Sequence, residues 1–352
     1  MPLKLTFEIK KDLDGHNQNL RLQGDWIELR LSDGDHCGVG EASHSGDDAA
    51  CMETVRQLCD VYLRHFQPSV EKIRHLEKTV FSRPADFVAA TAMSAINQAL
   101  YDLLAKQEGL AVWQLFSESP AQAQIPFYVT INRALRKRTK EEYLRVCGEI
   151  LSSGITHIKC APFDTVNREM DAESQVNAAE KGLEILAAIN ETYPALNMRV
   201  DFHNRFHLES FSSLLPEFEA FGLEWLEEPC HRPEDNALIR QMTEIPLAAG
   251  ELYFGSKEFI RLMDAGLADV IMPDIKHVGG LGPLITVCRE AQARGVSVSP
   301  HNPSGPAASR LSLQAAAVST AVTSIETAWL SIGETTLPAE AIDGGIVRIN
   351  NV

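Results

Sequence analysis

One stretch of sequence decides the fold: MRVD (198–201), LEWLE (223–227), PLAAGE (246–251), VIMPD (270–274) and VSVSPH (296–301). Each segment is mostly apolar and ends in an acidic residue or a histidine, and these end residues are 26, 24, 23 and 27 positions apart. A strand, a helix and their two loops need about 25 residues, so the spacing predicts a repeating β/α unit whose strands end in polar side chains. In a barrel of eight such units the strand ends converge on one face, where active sites are built.

The length of 352 residues accommodates a barrel of about 250 residues together with a smaller domain. We predict an α/β protein, a (β/α)8-type barrel with an N-terminal α+β capping domain. The cap is expected at residues 1–121, the barrel at 122–331, and a C-terminal segment, 332–352, is expected to return to the cap. The predicted barrel strands are 127–131, 156–160, 198–201, 223–227, 246–250, 268–272, 296–299 and 323–325.

The first hundred residues follow a different pattern. Residues 3–9, 26–31 and 38–42 read as short strands of an antiparallel meander, whereas 47–66 and 84–104 have the apolar spacing of helices. The loops at 11–19 and 43–48 belong to this cap, and we expect them to contribute to substrate specificity.

Composition excludes several classes of partner. A net charge of −16 argues against nucleic acid and against an anionic membrane surface, and no apolar run approaches 18 residues. Seven cysteines are scattered without a CxxC pair, which is typical of reduced thiols. We therefore expect a cytoplasmic protein. Its expected partners are a small-molecule carboxylate and further copies of the chain in a homo-oligomer.

Three carboxylates are the candidate metal ligands. Asp201, Glu227 and Glu251 end consecutive predicted strands, so they would lie close together, and like charges that close are costly unless a cation joins them. Oxygen ligands suit a hard ion, and we predict Mg²⁺. The alternative is that they are ordinary surface acids at loop starts.

Two histidines are candidate acid–base groups. His301 follows Asp274 by one predicted unit, and a carboxylate bonded to one imidazole nitrogen makes the other a better proton acceptor. His203 lies two residues after Asp201 and would face the same side along an extended segment. The alternatives are a loop-capping role for His301 and a supporting role for His203.

Further residues are predicted to bind substrate. Lys159 ends the second predicted strand, where a buried ammonium needs an anion such as a substrate carboxylate. Glu326 ends the eighth strand and would bind either an intermediate or a neighbouring lysine. The remaining predicted contacts are Asn302, His16 and His44. Lys276, His277, His207 and His231 receive no functional assignment.

With these residues placed, the chain resembles the mandelate racemase and muconate-lactonising branch of the enolase superfamily. The similarity covers nearly the whole chain and rests on GVGEA (38–42), AINQALYDL (95–103), EEP (227–229), GE (250–251), PD (273–274) with the Gly pair at 279–280, and His301. It implies that Asp201, Glu227 and Glu251 hold Mg²⁺ and that His301 with Asp274 is the base. This chemistry stabilises an ene-diolate.

Within that branch, DFHNR (201–205) and PHNPSGP (300–306) are most similar to the galactonate dehydratase-like acid-sugar dehydratases, in which the His at the position of His203 is the general acid. One departure concerns the racemases, which carry Lys-x-Lys on the second strand. This chain has Lys159 and then Ala161, which cannot take a proton. The resemblance therefore implies Mg²⁺-dependent dehydration of an aldonate-like sugar acid to a 2-keto-3-deoxy acid, by a carbon–oxygen lyase. The alternatives are a 2-epimerase or racemase, and a catalytically silent barrel that binds an acid sugar.

Overall fold

The computed structural model describes residues 2–10, 26–43, 46–330 and 334–349. His16 and His44, two of the predicted substrate contacts, lie outside the described residues, as does the whole loop at 11–19.

The amino-terminal part is a three-stranded antiparallel sheet, in the order β1 (Lys4–Lys10), β2 (Trp26–Ser32) and β3 (Cys37–Glu41). It packs against helices α1 (Asp48–Tyr62), α2 (Val70–Thr79) and α3 (Phe87–Glu108). The two glycines of β3 explain how closely sheet and helix approach, because a Cβ on Gly38 or Gly40 would collide with the backbone of α3 at Ala99 or Ala95. The predicted meander and both predicted cap helices are therefore present.

The eight strands of the barrel are parallel and follow one another around the ring. They are β4 (Gln124–Thr130), β5 (His157–Cys160), β6 (Asn197–Asp201), β7 (Trp225–Glu227), β8 (Leu247–Ala249), β9 (Val270–Ile271), β10 (Ser297–Val298) and β11 (Ile325–Ala328). Consecutive strands pair from β4 to β10, and β11 pairs with β4. A bridge between Val298 and Val322 links β10 to the residues just before β11, which completes the ring. This is the predicted (β/α)8-type architecture.

Helices alternate with these strands: α4 (Lys140–Ser152), α5 (Ala172–Thr192), α6 (Leu208–Ala220), the one-turn α7 (Asn236–Ile239), α8 (Gly255–Asp264), α9 (Leu281–Arg294) and α10 (Pro306–Val318). Local sequence explains several of their ends. Asp171 caps α5 by accepting a hydrogen bond from Ser174 N at 2.8 Å. Gly295 ends α9 in the left-handed conformation, with φ of 67°. Among the described residues, no helix combines the length and apolarity needed to span a membrane.

The last barrel strand differs from its predicted position. Residues 323–325 were expected, but β11 begins at Ile325 and holds Glu326 inside the strand rather than after it. The reason is that Thr323 N–H donates to Val298 O, so residues 322–323 belong to the contact with β10 before the ladder with β4 begins. An apolar run shows where a strand lies, but not which neighbour each of its residues pairs with.

The carboxyl-terminal segment forms a hairpin of β12 (Ile342–Asp343) and β13 (Ile346–Arg348). Strand β13 pairs antiparallel with the start of β4, where Val347 lies opposite Ile125. The described pairing of this segment is thus with the first barrel strand, whereas we expected it at the cap. The division of the chain into domains stays a prediction.

Buried polar contacts join the cap to the barrel. The carboxylate of Glu41, at the end of β3, accepts hydrogen bonds from Gly305 N and Ala308 N at the start of α10, at 2.8 and 3.0 Å. Gln98 Nε2 of α3 donates to the carbonyl of Ile275, beyond β9. The cap therefore lies over the carboxyl ends of the barrel strands, which is the face that carries the polar residues.

Candidate active site

The polar residues of the repeat meet at the carboxyl edge of the barrel. Asp201 and Glu227 are the last residues of β6 and β7 and lie opposite each other in the strand register. Glu251, Asp274 and His301 follow β8, β9 and β10 by two or three residues. A cavity of about 250 Å³ opens among these strand ends. The fixed spacing in the sequence therefore does correspond to one shared site.

Glu227 and Glu251 form the centre of a candidate metal site. Among the described residues, one oxygen of each and a ring nitrogen of His301 all lie within 4.8 Å of one another. Glu251 Oε2 is buried and no hydrogen bond of good geometry reaches it from the described residues, although His301 Nε2 is only 3.1 Å away. A buried carboxylate oxygen without a donor fits a position that a cation would fill.

The electrostatics of these two glutamates agree with that interpretation. Burial raises the pKa of both the Glu227 and the Glu251 carboxyl well above the usual range, and the charge of Asp201 raises both further. Lys159 opposes part of this effect. Two buried carboxylates that resist ionisation together are stabilised as anions by a bound cation, which lowers their pKa again.

Asp201 is beside this cluster but is bonded to His203. His203 Nε2 lies 2.9 Å from Asp201 Oδ2, and His203 N donates to Asp201 Oδ1 at 2.8 Å. Burial raises the pKa of the Asp201 carboxyl, but the charge and hydrogen bonds of His203 outweigh burial and the net pKa is lowered. Asp201 remains a predicted metal ligand, next to Glu227 in register.

His203 reaches the cavity by a different route from the one expected. We expected an extended segment that places residues 201 and 203 on one side. The chain instead turns at once, and His203 and Asn204 have φ of 52° and 54°. The turn folds the His203 ring back onto Asp201, and the ring also lines the cavity.

A third residue with left-handed backbone angles, Glu228, contacts both the turn at His203 and the segment that carries Glu251. Its φ is 45°, its Oε1 accepts from Gly250 N at 2.7 Å, and its carbonyl accepts from Asn204 N at 2.7 Å. Glu228 thus joins the turn that carries His203 to the segment that carries Glu251. Three strained non-glycine residues around one cluster indicate a site held in position by its surroundings.

Lys159 is almost fully buried and lies between two carboxylates. Its Nζ is 2.7 Å from Glu227 Oε1 and 2.9 Å from Glu326 Oε2. Burial lowers the pKa of this ammonium, but Glu227 and Glu326 outweigh burial and raise it well above its usual value, so Lys159 is charged. Tyr128 Oη donates to Glu326 Oε2 at 3.1 Å. Both Lys159 and Glu326 line the cavity, as their predicted contact with substrate requires.

His301 and Asp274 form the expected pair. His301 Nδ1 is 2.9 Å from Asp274 Oδ2, and Asp274 is fully buried. Burial raises the pKa of Asp274, but the charges of Lys276, His277 and His301 outweigh it and the net pKa is lowered, so the carboxyl is ionised. An ionised partner on Nδ1 leaves Nε2 facing Glu251 and the cavity as the basic nitrogen.

Asn302 has a supporting position. It is fully buried, its Nδ2 donates to Ser309 Oγ at 2.8 Å and to Glu326 O at 3.2 Å, and its N–H donates to Glu326 Oε2 at 3.3 Å. These bonds hold Glu326 in place. Asn302 is absent from the lining of the cavity, so its direct contact with substrate stays a prediction.

The ionisable cavity residues that sequence reasoning missed are Arg133, Lys276 and His277. His277 packs its ring on Phe87 of the cap at 4.3 Å between centroids and lies 3.1 Å from Thr91 Oγ1. Arg133 Nε donates to Pro303 O at 2.5 Å. All three lie in the turns after strands, where no period indicates the direction of a side chain. The one sequence feature that could have identified them is their position, two to three residues after a residue that ends a strand.

Comparisons with known proteins agree with this architecture. Residues 142–349 match the family described as enolase C-terminal domain-like, and residues 25–117 match the mandelate racemase / muconate lactonizing enzyme N-terminal domain. Among solved structures, a mandelate racemase/muconate lactonizing enzyme-like protein from Rubrobacter xylanophilus DSM 9941 superposes with a TM-score of 0.80 at 22% identity, over 98% of this chain and 92% of that one. A mandelate racemase/muconate lactonizing enzyme from Sulfitobacter sp. gives 0.82 at 18% identity, over 99% and 91%.

Two curated relatives are dehydratases. The chain is 28% identical to D-galactonate dehydratase of Klebsiella pneumoniae over 304 residues, 82% of this chain and 74% of that protein. It is 28% identical to D-gluconate dehydratase of Thermoproteus tenax over 234 residues, 66% of this chain, but it spans only 46% of the length of that relative. With family matches over both its parts, the chain belongs to the mandelate racemase and muconate lactonizing enzyme branch of the enolase superfamily.

Proposed function

We propose that the protein is a Mg²⁺-dependent dehydratase of a sugar acid, which removes the C2 proton and the 3-hydroxyl group. The observation that carries this proposal is the arrangement of His301, with Asp274 on Nδ1 and with Nε2 facing the buried carboxylates. A proton acceptor next to a cation site is what abstraction of a proton α to a carboxylate requires. The names of the two dehydratase relatives support the reaction class.

The cation would be held by Glu227 and Glu251 together with Asp201. When bound, Mg²⁺ supplies Lewis-acid stabilisation of the negative charge that develops on the substrate carboxylate. Lys159 contributes a fixed positive charge beside the same carboxylate, because its ammonium has three donors and stands at the edge of the cavity. Its bonds to Glu227 and Glu326 keep that ammonium in one position.

Proton transfer is assigned to the two histidines. His301 Nε2 accepts the C2 proton, and Asp274 stabilises the imidazolium that results. His203 begins as the imidazolium paired with Asp201 and donates its proton to the 3-hydroxyl as the C3–O bond breaks. Water leaves, and the enol product tautomerises to a 2-keto-3-deoxy acid. After the reaction His301 has gained one proton and His203 has lost one, and exchange with solvent returns both to their starting states.

Epimerisation at C2 is the alternative that the same geometry favours, because His203 and His301 both line the cavity and could act as two bases. Solvent deuterium separates the reactions. A dehydratase releases a keto acid, whereas an epimerase returns substrate labelled at C2. Ala161 is buried and offers no base, so a second-strand lysine base is not available at that position.

The test is a keto-acid assay over a set of aldonic and aldaric acids, with Mg²⁺ and with a chelator. We expect Mg²⁺-dependent formation of a 2-keto-3-deoxy acid from at least one of them. Thermal stabilisation by a sugar acid without any product would instead support a binding protein without catalysis.

A further inference from the structure

A buried lysine in the cavity has no assigned contact with substrate in the chemistry described above. Lys276 lines the cavity, and its side chain is 3% exposed. Among the described residues, the nearest carboxylate oxygen to its Nζ is Asp274 Oδ2, at 3.9 Å, which is beyond hydrogen-bond distance. A buried ammonium without a close acceptor is costly unless an anion completes its surroundings.

The two neighbouring carboxylates are already engaged with other groups. Asp274 accepts from Lys276 N at 2.7 Å through Oδ1 and from the His301 ring through Oδ2. Glu41, whose charge interacts with that of Lys276, accepts from Gly305 N and Ala308 N. Asp274 stabilises the positive charge of Lys276 at longer range, whereas burial raises the pKa of Glu41 above its usual value. The oxygens of both groups accept hydrogen bonds from other donors. The ammonium therefore keeps donors for a ligand in the cavity.

Lys276 Nζ lies 3.9 Å from the Asp274 oxygen that contacts His301 Nδ1, whereas the candidate metal site is on the Nε2 side of the same ring. The ring contacts Asp274, the neighbour of Lys276, through Nδ1 and contacts Glu251 through Nε2. A substrate whose first carboxylate lies at Glu251 and Lys159 would extend past His301 towards Lys276. Arg133 lines the same cavity and adds positive charge.

We propose that Lys276 binds a second carboxylate at the far end of the substrate, so that the preferred substrate is a dicarboxylic, aldaric-type sugar acid. The inference rests on the proposed function and narrows its substrate class. The cavity, at about 250 Å³, is smaller than the roughly 300–1,000 Å³ of sites for drug-sized ligands, which favours a compact carboxylate over a bulkier phosphate ester.

The experiment compares acids that differ only at C6. D-Glucarate is paired with D-gluconate and galactarate with D-galactonate, with 6-phosphogluconate as a separate arm for a phosphate in that position. For the Mg²⁺-loaded wild type we expect kcat/KM for the preferred diacid to exceed that of its matched monoacid by about tenfold or more, the worth of one charge-assisted bond.

Variants locate that preference in one side chain. Lys276→Met keeps length and removes charge, so it should lower kcat/KM for the diacid about tenfold more than for the monoacid. The loss of positive charge beside Asp274 acts on both acids alike, so the readout is the ratio of the two kcat/KM values. Lys276→Arg keeps the charge and should retain most of the preference, which protects the test if the methionine variant folds poorly. Lys181→Met, on an exposed face of α5, is the matched control and should change neither value.

Titration calorimetry with the same acids separates this inference from the proposed function. Dehydration of monoacids with equal or better efficiency than diacids overturns the role of Lys276 and leaves the dehydratase proposal standing. If diacids bind more tightly than monoacids, if Lys276→Met abolishes that difference, and if no acid is turned over, the proposed role of Lys276 is supported and the dehydratase proposal is overturned. A preference for 6-phosphogluconate alone refutes the second-carboxylate assignment.

Discussion

The substitution His301→Asn tests the role of the central histidine. Nε2 of His301 faces Glu251 at 3.1 Å and could either accept a proton or bind the cation, and the two roles exclude each other. Removing a general base costs about 10²–10⁴-fold in rate, which corresponds to about 3–5 kcal/mol of transition-state stabilisation. We expect a loss of that size in kcat, for both keto-acid formation and exchange of the C2 hydrogen with deuterated solvent.

The same variant should bind Mg²⁺ almost normally. The carboxylates of Asp201, Glu227 and Glu251 are unchanged, and the new amide can still donate a hydrogen bond to Asp274, so no buried carboxylate loses its only partner. Calorimetric titration with Mg²⁺ should give a Kd within about threefold of the wild type, since no oxygen ligand is lost.

Two results would refute the reasoning. Full turnover by His301→Asn on a substrate that the wild type dehydrates would remove His301 from the mechanism. A loss of Mg²⁺ affinity of about tenfold or more, the scale seen when groups that support metal ligands are removed, would show that His301 helps to hold the ion, directly or through Glu251, and would contradict a role as base alone. His75→Asn, on an exposed face of α2, is the control and should change neither rate nor affinity.

Three further predictions concern the buried charges. Lys159→Met removes the cation between Glu227 and Glu326. The unfolding free energy of the Mg²⁺-free variant should therefore fall relative to the wild type as pH rises, by up to about 3–5 kcal/mol once the carboxyls that Lys159 pairs with are ionised. A denaturation midpoint equal to that of the wild type at every pH would refute this role of Lys159. Glu228→Ala removes the acceptor of Gly250 N, so it should weaken Mg²⁺ binding about 10–100-fold through misplacement of Glu251; an unchanged affinity would show that Glu228 does not position Glu251. The pKa values of Glu227 and Glu251 are raised without metal, so protons leave these carboxyls when Mg²⁺ binds, and the affinity for Mg²⁺ should rise with pH until both are ionised. Calorimetry in buffers of different ionisation enthalpy measures the number of protons released. No release should be seen if the glutamates do not bind the ion.

The spacing of polar strand ends was sufficient to predict the barrel and to predict which strand-end residues meet at one of its faces. In a parallel barrel the last residue of each strand, such as Glu227, lies at the same edge of the sheet. This position does not depend on the conformation of the loop that follows. This is why Asp201, Glu227, Glu251, Asp274 and His301 could be assigned to one face before the structure was known. The pattern also assigned the cap, because alternation and helical periodicity depend on local burial.

Tertiary structure decided the side-chain contacts that the spacing of strand ends does not specify. Lys159 and Glu326 are 167 residues apart and meet because β11 closes the ring onto β4. His203 contacts Asp201 through a left-handed turn, although an extended segment was expected.

The positions of Lys276, His277 and Arg133 in the cavity likewise depended on the folded chain. Sequence determines which residues end a strand, since that follows from local hydrogen bonding and burial. The direction of a side chain in the turn beyond it depends on backbone angles and on contacts from distant elements, such as those of Phe87 and Glu41 in the cap, and only the folded chain supplies these.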